Sequence, residues 1–174
     1  MACVLTSGFT LPCRKSMGGV QKVYITELSN EATFVVASGV VTAFTLTAPK
    51  KFFEYNLTMG GSSATATIGG DRAVGSRFYT HSVTIQLPKF ETAIRNEIML
   101  LAQNTLMIIV LDSNGKYFLY GHSESTKRGL EISEGSGQTG TASADLSGFS
   151  LTFSGDEIDL PLEVSSGLIA TLTA

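Results

Sequence analysis

The chain contains two histidines, His81 and His122, and the imidazole side chain is a common acid or base in catalysis. His122 is followed by Ser123 and Glu124 in "GHSES", which has the residue types of a base, a nucleophile and an acid. Because neighbouring residues of an extended chain point to opposite faces, these three side chains cannot align as a catalytic triad. The stretch also lacks the second glycine of a G-X-S-X-G nucleophile elbow. His81 lies in the alternating segment "YTHSVTIQL", which favours a structural role.

The segment "GDEID" (Gly155–Asp159) concentrates three carboxylates. A calcium loop needs oxygen ligands at fixed positions around an internal glycine, and this spacing fits no EF-hand. Strand alternation places Glu157 and Asp159 on one face, and charges at a sheet edge discourage uncontrolled strand addition. The pattern therefore favours a solvated sheet edge over a cation site.

Neither the cysteines nor the glycine-rich segments have the spacing of a cofactor site. Cys3 and Cys13 are ten residues apart without a nearby histidine. That spacing fits neither zinc nor Cys-X-X-Cys redox chemistry, and it favours free thiols over a local disulfide. The segments "GGDRAVG" and "GSGQTG" lack the Lys-Ser/Thr pair and the helix that follow a phosphate loop. The sequence predicts no catalytic residue, no metal and no cofactor, and the protein is not expected to be an enzyme.

The composition favours a single domain that associates with other subunits. The chain has 174 residues, of which 43% are hydrophobic and 16% charged, against roughly 25% charged in an average soluble domain. With so few charges, part of the surface is expected to be covered by other subunits. The alternative is a well-packed all-β domain whose outer faces are lined by Ser and Thr.

Charge is distributed unevenly along the chain. Residues 1–87 contain seven Lys/Arg and four Asp/Glu, a net +3, whereas residues 88–174 contain five and eleven, a net −6; together these give −3. No basic cluster with interleaved aromatics is present, so tight nucleic-acid binding is not predicted. An acidic second half would repel phosphate, which suits a surface that nucleic acid passes without adhering. Such an imbalance more often reflects ordinary solvated faces, which the sequence favours here.

The sequence predicts neither a membrane span nor a signal peptide. It contains no window of 18 apolar residues. The opening segment "MACVLTSGFTLPCRKSMGG" lacks the basic-then-apolar order of a signal peptide, since Arg14 and Lys15 come late. We expect an extended N-terminal segment over residues 1–19 and one β-rich domain over residues 20–174.

Period-two alternation predicts strands along most of the chain. Ser38-Gly39 predicts a hairpin over Thr33–Leu46, and Asn114-Gly115 predicts a second hairpin. The apolar run Leu106–Asp112 indicates a strand buried on both faces. Further strands are expected at Val20–Leu28, at Lys51–Met59 with Phe53, Tyr55, Leu57 and Met59 facing the core, at "GFSLTFSG" with Phe149, Leu151 and Phe153 inward, and at "DEIDLPLEV" and "GLIATLTA".

One segment has helical periodicity. "PKFETAIRNEIMLLAQN" opens with Pro88, which suits a first helical turn. Its apolar stripe consists of Phe90, Ile94, Ile98, Leu101 and Ala102. We expect a helix at about residues 88–103. The predicted fold is mainly β, a β-sandwich or partly closed barrel with this one flanking α-helix.

Two glycine pairs bracket a segment with little apolar bulk. Gly60-Gly61 and Gly69-Gly70 enclose a short strand-like centre at Ala64–Ile68. A segment of this kind is typical of a hairpin or arm that leaves the core. The sequence therefore predicts a protruding arm at about residues 59–78.

The order of these elements resembles that of virion proteins of tailed bacteriophages, in particular the tail-tube-like family. The stretches that carry the resemblance are "CRKSMGGVQKVYITEL" near the N-terminus and "TGTASADLSGFSLTFSGDE" near the C-terminus. The resemblance implies that residues 88–103 form a flanking helix and that Ser147–Glu157 form a late strand. It also implies that Met59–Phe78 and Met1–Gly19 contact neighbouring subunits.

The function that this resemblance implies is structural. The chain would be a subunit of ring or tube assemblies of the tail or neck, through which double-stranded DNA passes without specific binding. Its partners would be copies of itself, with a hexamer favoured, and other virion proteins; it would be located in the virion, assembled in the host bacterial cytoplasm. The candidate assembly residues are Gly60, Gly61, Gly69, Gly70, Arg72, Arg77, Gly137, Gly140, Cys13 and Arg14.

Two alternative functions remain open at this point. One is a capsid decoration or head-fibre protein, which would form trimers or bind singly to a capsid lattice. The other is a carbohydrate- or receptor-binding β-module, which would require exposed aromatic platforms. The absence of Trp counts against the binding module, as does the scatter of five Tyr along the strands.

Overall fold

A computed structural model describes residues 8–9, 16–58 and 60–173 of the chain. The protein is mainly β, with 50% of it in strands and 13% in helices. The strands are β1 (Val20–Glu27), β2 (Glu31–Ala37), β3 (Val40–Leu46), β4 (Phe53–Asn56), β5 (Ser63–Gly69), β6 (Phe78–Pro88), β7 (Leu106–Asp112), β8 (Tyr117–Tyr120), β9 (Glu131–Gln138), β10 (Gly148–Glu157) and β11 (Leu162–Val164). The helices are α1 (Thr92–Leu101) and α2 (Ser166–Leu172), and a 3-10 turn spans Leu28–Asn30.

The strands form two sheets, as expected for a sandwich. The large sheet has seven strands in the order β2-β3-β11-β8-β7-β1-β4, and the small sheet has four in the order β5-β6-β10-β9. Neither sheet closes on itself within the described residues, so the sandwich is confirmed and the closed barrel is not formed. All pairs in the small sheet are antiparallel.

The main core lies between the two sheets. β7 and β1 of the large sheet and β6 and β10 of the small sheet contribute buried aliphatic and aromatic side chains to it. Among them, Ile108, Ile85 and Phe153 are fully buried. Burial of one such side chain contributes about 1.5–3 kcal/mol, so this layer holds the sheets face to face.

A second core covers the opposite face of the large sheet. Met107 and Ile109 alternate with the residues of the first core, and α2 packs Ile169 and Leu172 over them. β7 is therefore buried on both faces, as its continuous apolar run predicts. The closing segment "GLIATLTA", expected as a strand, instead forms α2, because this sheet face requires an apolar cover.

The predicted hairpins are confirmed. Ser38 and Gly39 connect β2 to β3, and both residues have positive φ values, 53° and 78°. Asn114-Gly115 connects β7 to β8. In β10, Leu151 and Phe153 are buried and Phe149 is half-buried, as the alternation predicts. Such turns fix the register of each pair and thereby the face to which every side chain points.

The predicted helix is confirmed as an element, but its start is corrected. Pro88 ends β6, where it pairs with Gly148, and Lys89 then adopts a left-handed φ of 76°. The helix begins at Thr92 and packs Ile94 and Ile98 against the inter-sheet core. Proline suits a first helical turn, but here Pro88 instead extends the pairing of β6 with β10 by one residue.

The predicted core face of residues 51–59 is partly wrong. Tyr55 and Leu57 pack against the inter-sheet core as expected. Phe53 lies at the uncovered edge of the large sheet and is 60% exposed, whereas Phe52 is fully buried in the second core, where its ring contacts Phe44 edge-on. Met59 lies outside the described residues.

One β-bulge interrupts the edge of the small sheet. In the pairing of β9 with β10, Glu134 lies opposite Thr152 and Ile132 lies opposite Phe153, so Ser133 is the extra residue. Its hydroxyl donates to the carbonyl oxygen of Thr152 at 3.2 Å. A bulge bends its strand and increases the local twist.

Candidate assembly surface

The outer face of the small sheet is lined almost entirely by hydroxyl and amide side chains. Strand alternation turns every second residue away from the inter-sheet core. We call this surface the hydroxyl face; the registers of the four strands assign to it Ser63, Thr65, Thr67, Phe78, Thr80, Ser82, Thr84, Gln86, Glu131, Glu134, Ser136, Gln138, Ser150, Thr152, Ser154 and Asp156.

Hydrogen bonds between neighbouring strands order the middle of the hydroxyl face. The hydroxyl groups of Thr84 and Thr152 lie 3.1 Å apart. Thr80 donates its hydroxyl to Asp156 Oδ1 at 2.6 Å. Cross-strand Thr pairs of this kind stabilise a sheet by a few tenths of a kcal/mol each. The face is thus a fixed, hydrated polar surface.

The hydroxyl face carries no positive charge in the part of the chain that the structure describes. Its three ionisable side chains, Glu131, Glu134 and Asp156, are carboxylates and all are exposed. The net charge of −6 in the second half of the chain is therefore present, in part, on this surface. A nucleic acid close to the face would meet hydroxyls and carboxylates but no lysine or arginine.

Both edges of the small sheet are free within the described residues. β5 pairs with β6 alone, and β9 pairs with β10 alone. Edge strands expose a row of unpaired backbone N–H and C=O groups. β5, "SATATIG", contains neither a charged residue nor a proline that would protect such an edge. β9, "EISEGSGQ", carries two glutamates and the bulge at Ser133, so β5 is the less protected of the two edges.

The predicted arm is an edge strand with an exposed loop. Residues 63–69 form β5, which pairs with β6 over its whole length, and residues 70–77 form the connecting loop. The loop is fully exposed and includes Arg72, Val74 and Arg77. Asp71 Oδ1 accepts a hydrogen bond from the Ala73 N–H and so shapes the turn.

The glycines proposed from the sequence lie at the ends of β5 and β9. Gly60-Gly61 precede β5, and Gly69-Gly70 end it; Gly61 lies against the side chain of Gln86 on the hydroxyl face. Gly140 has a φ of 75° in the loop between β9 and β10. Asp145 accepts two backbone N–H bonds in that loop, and these bonds lower the pKa of its carboxyl.

Gly137 lies inside β9 and faces the core. A Cβ atom there would lie 2.8 Å from the Phe149 ring and 2.9 Å from the Phe90 ring. These two rings stack with centroids 4.5 Å apart, and they fill the space that a side chain would need. Cys13 and Arg14, the remaining candidates, lie outside the described residues.

A buried carboxylate that the sequence assigned to a solvated edge holds the two sheets together. Glu157, at the end of β10, is 1% exposed. It accepts hydrogen bonds from the hydroxyls of Ser123 and Thr126 at 2.8 and 2.9 Å and from the backbone N–H groups of Arg128 and Gly129 at 2.8 and 3.3 Å. The expectation of a solvated Glu157 is wrong, because the loop after β8 folds over it and supplies these donors.

His81 is a second polar contact between the sheets. It lies on β6, is fully buried, and accepts a hydrogen bond at Nδ1 from the Gly121 N–H at 3.2 Å. Its Nε2 then carries the proton and donates to the Asp159 carbonyl oxygen at 2.9 Å. Burial lowers the pKa of His81, which favours this neutral form.

The residues of "GHSES" do not meet as a catalytic group. His122 Nε2 lies 2.8 Å from Glu31 Oε2, whereas the Ser123 hydroxyl donates to Glu157. His122 Nδ1 is buried without a hydrogen-bond partner among the described residues, and its ring lies 3.9 Å from that of Phe34. The two side chains therefore bind different carboxylates.

A groove lies between the edge of the large sheet and α1. It has a volume of about 650 Å³, and the exposed side chains of Phe53 and Leu100 line its mouth. Across it, the Tyr55 hydroxyl donates to Glu97 Oε1 at 2.8 Å. Burial and this hydrogen bond raise the pKa of Tyr55.

Comparison of the chain with protein-family models, with curated proteins and with solved structures finds no match in any of the three. No helix in the described part of the chain is both long and apolar enough to cross a membrane. Within residues 8–9, 16–58 and 60–173, no three His, Cys, Asp or Glu side chains are grouped so that they could hold a metal ion.

Proposed function

We propose that the protein is a structural subunit of a phage particle that associates with copies of itself into a ring or tube of the tail or neck. The hydroxyl face lines the channel, and double-stranded DNA passes over it without specific binding. The observation that carries this proposal is the composition of that face: mostly hydroxyls and amides with three carboxylates, and no lysine or arginine among the residues assigned to it.

The chemistry of DNA supports this role for the face. Proteins that hold DNA neutralise its phosphates with lysine and arginine, and each such contact releases counterions and adds affinity. A surface without cations gains none of this affinity, and Glu134 and Asp156 repel phosphate. The hydroxyl groups remain hydrated, so that DNA slides over bound water rather than over fixed ionic contacts.

The free edges of the small sheet support assembly through sheet extension. A chain that exposes two free edges of one sheet can bind copies of itself by strand addition. When such copies close into a ring, both edges of the small sheet become paired. The low charged fraction of the chain, 16%, agrees with a surface that is partly covered in the assembly.

The remaining features of the proposal come from the resemblance to tail-tube-like proteins. They are a hexameric ring, other virion proteins as neighbours, and a location in the virion after assembly in the bacterial cytoplasm. Each of these depends on ring formation, which is therefore the property to test first.

The test is the mass and shape of the purified protein. We expect multi-angle light scattering to give a multiple of the chain mass, 18.4 kDa, and negative-stain imaging to reveal rings or tubes with an open channel. Compact trimers without a channel would favour a capsid decoration or head-fibre protein instead. A protein that stays monomeric at every concentration tested would contradict the proposal.

A further inference from the structure

We infer that the loop at residues 70–77 binds a phosphate group between the guanidinium groups of Arg72 and Arg77. The ligand is thus a phosphate or a phosphate ester. None of the residues that line the site is assigned to the hydroxyl face. The inference therefore concerns a different surface from the proposed channel, and it does not depend on the proposed function.

The loop encloses a concave space of about 760 Å³ that both arginines line. Ser76, three glycines and Ile68 complete the lining. Glycine has no Cβ atom, so an anion in this space can approach the main chain closely. A guanidinium group donates two parallel N–H bonds to one phosphate, and hydroxyl and backbone N–H groups also donate to phosphate oxygens. The lining therefore has the donors that phosphate recognition requires.

The charge of this space is positive. No acidic side chain is among its lining residues. The one carboxylate of the loop, Asp71, accepts the Ala73 N–H at 2.7 Å, which directs it into the turn. Neither arginine takes part in an ion pair with another residue that the structure describes. Two like charges that share one loop are stabilised by an anion placed between them.

Hydrogen bonds within the loop hold its shape before any ligand binds. The Ser76 N–H donates to the Asp71 carbonyl oxygen, and the Asp71 N–H donates to the Ser76 hydroxyl oxygen, each at 3.0 Å. The Ser76 hydroxyl proton is thus left to donate elsewhere. Gly70 has a φ of 146°, and a Cβ atom there would overlap the Ser76 carbonyl oxygen. This closure brings Arg72 and Arg77 to one space, so less conformational entropy is lost on binding.

The site differs from the phosphate loop that the sequence excludes. No helix follows residues 70–77, and no Lys-Ser/Thr pair is present, so side chains rather than a helix N-terminus hold the phosphate. The same donors fit a free phosphate, the phosphate of a small ester and a phosphate of the DNA backbone. The experiment must therefore separate a small ligand from DNA.

The first probe is radiolabelled inorganic phosphate, measured by equilibrium dialysis in chloride buffer at constant ionic strength. We expect saturable binding of one phosphate per chain. Arg72→Gln and Arg77→Gln should each weaken it at least about tenfold, because each removes a charge-assisted pair of hydrogen bonds. Arg77→Lys retains the charge without the paired donors, and its affinity should lie between those of the wild type and Arg77→Gln.

A matched control removes two exposed positive charges at the other end of β6, Lys89→Gln with Arg95→Gln. This variant should bind phosphate like the wild type, whereas the double variant Arg72→Gln with Arg77→Gln should not bind it. Circular dichroism and urea unfolding verify that all variants are folded.

The second probe is a short duplex DNA without terminal phosphates, measured by filter binding. If only phosphate binding depends on the two arginines, the ligand is a free phosphate or a small ester. If duplex binding depends on Arg72 and Arg77 as well, the phosphate comes from the DNA backbone. The inference is overturned if neither probe binds the folded wild type more tightly than the double variant. The proposed function is tested separately, by ring formation.

Discussion

The Ser123 hydroxyl, in the loop that leaves the large sheet, donates a hydrogen bond across 2.8 Å to Glu157 Oε2 on the small sheet. Ser123 follows β8 of the large sheet, and Glu157 ends β10 of the small sheet. Both side chains are buried. A buried carboxylate is stable only where hydrogen-bond donors replace its lost water, and the loop after β8 supplies four. This junction therefore fixes how one sheet sits on the other.

Substitution of Glu157 tests the strength of the junction. Glu157→Gln replaces one acceptor oxygen by an NH₂ group that faces donors, so at least one buried donor loses its partner. We expect the free energy of unfolding to fall by about 2–4 kcal/mol, as measured by urea denaturation. Glu124→Gln, an exposed position in the same loop, should change it by less than about 0.5 kcal/mol. Equal effects of the two substitutions would contradict the buried role of Glu157.

The stability of the protein should depend on pH through His81. Burial lowers the pKa of His81 below its ordinary value of 6.5, so below pH 6.5 the unfolded chain binds a proton that the folded chain does not. Stability is therefore lost as pH falls from about 6.5 towards the folded pKa, at up to about 1.4 kcal/mol per pH unit.

Urea unfolding at pH 7.5, 6.5 and 5.5 measures this contribution. His81→Gln removes the titrating group. The variant should therefore lose less free energy of unfolding over this pH range than the wild type, and the difference is the contribution of His81. Carboxylates titrate mainly below this window and contribute similarly to both proteins. An identical pH dependence in the two proteins would show that His81 does not hold the neutral form proposed for it.

Two glycine substitutions should have opposite effects. Gly137→Ala places a methyl group 2.8 Å from the Phe149 ring and must displace the stacked rings, so we expect a loss of about 1–3 kcal/mol. Gly167→Ala meets no atom within 4 Å and lies in α2, where Ala is the better helix former, so we expect a gain of up to about 1 kcal/mol. Thermal or urea unfolding distinguishes the two, and destabilisation by both would contradict the packing assigned to Gly137.

If the hydroxyl face lines a channel as proposed, lysines on this face should convert it from a passive surface into a DNA-binding one. Thr84→Lys with Thr152→Lys adds two adjacent cations where the hydroxyls lie 3.1 Å apart. We expect the assembled variant to retain double-stranded DNA at low salt and to release it as salt increases, with a steep logarithmic dependence.

The control for this experiment places two lysines on exposed positions of the large sheet, Thr33→Lys with Thr42→Lys. It has the same net charge but leaves the hydroxyl face unchanged. DNA retention is measured by filter binding over a salt series. If both variants retain DNA equally, position on the hydroxyl face has no special relation to DNA.

The strands and turns could be predicted from the sequence because each depends on local pattern. Alternation in "GFSLTFSG" predicts which side chains of β10 face inward, and Ser38-Gly39 and Asn114-Gly115 predict two hairpins. The apolar run of β7 predicts burial on both faces. These signals are short-range, and the tertiary structure does not conflict with them.

The parts that could not be predicted depend on contacts between distant segments. "GLIATLTA" has a strand-like composition, but it forms α2 because it covers one face of the large sheet. The alternation predicts Phe53 as the core residue, but Phe52 is buried instead, because it packs against α2 and Phe44. The sequence pattern predicts an exposed Glu157, and its burial depends on hydrogen-bond donors from the loop at residues 121–129, which is distant in sequence. The composition predicts outer faces lined by Ser and Thr only as a general alternative to association with other subunits, and it does not indicate which strands carry them.

The extra residue in β9 has a consequence for the shape of the small sheet. The bulge at Ser133 bends this edge strand and increases its twist. In the proposed ring, this bend would add to the curvature of the channel wall, so that the diameter of the channel would depend on one inserted residue. Deletion of Ser133 would then flatten the sheet and widen the ring.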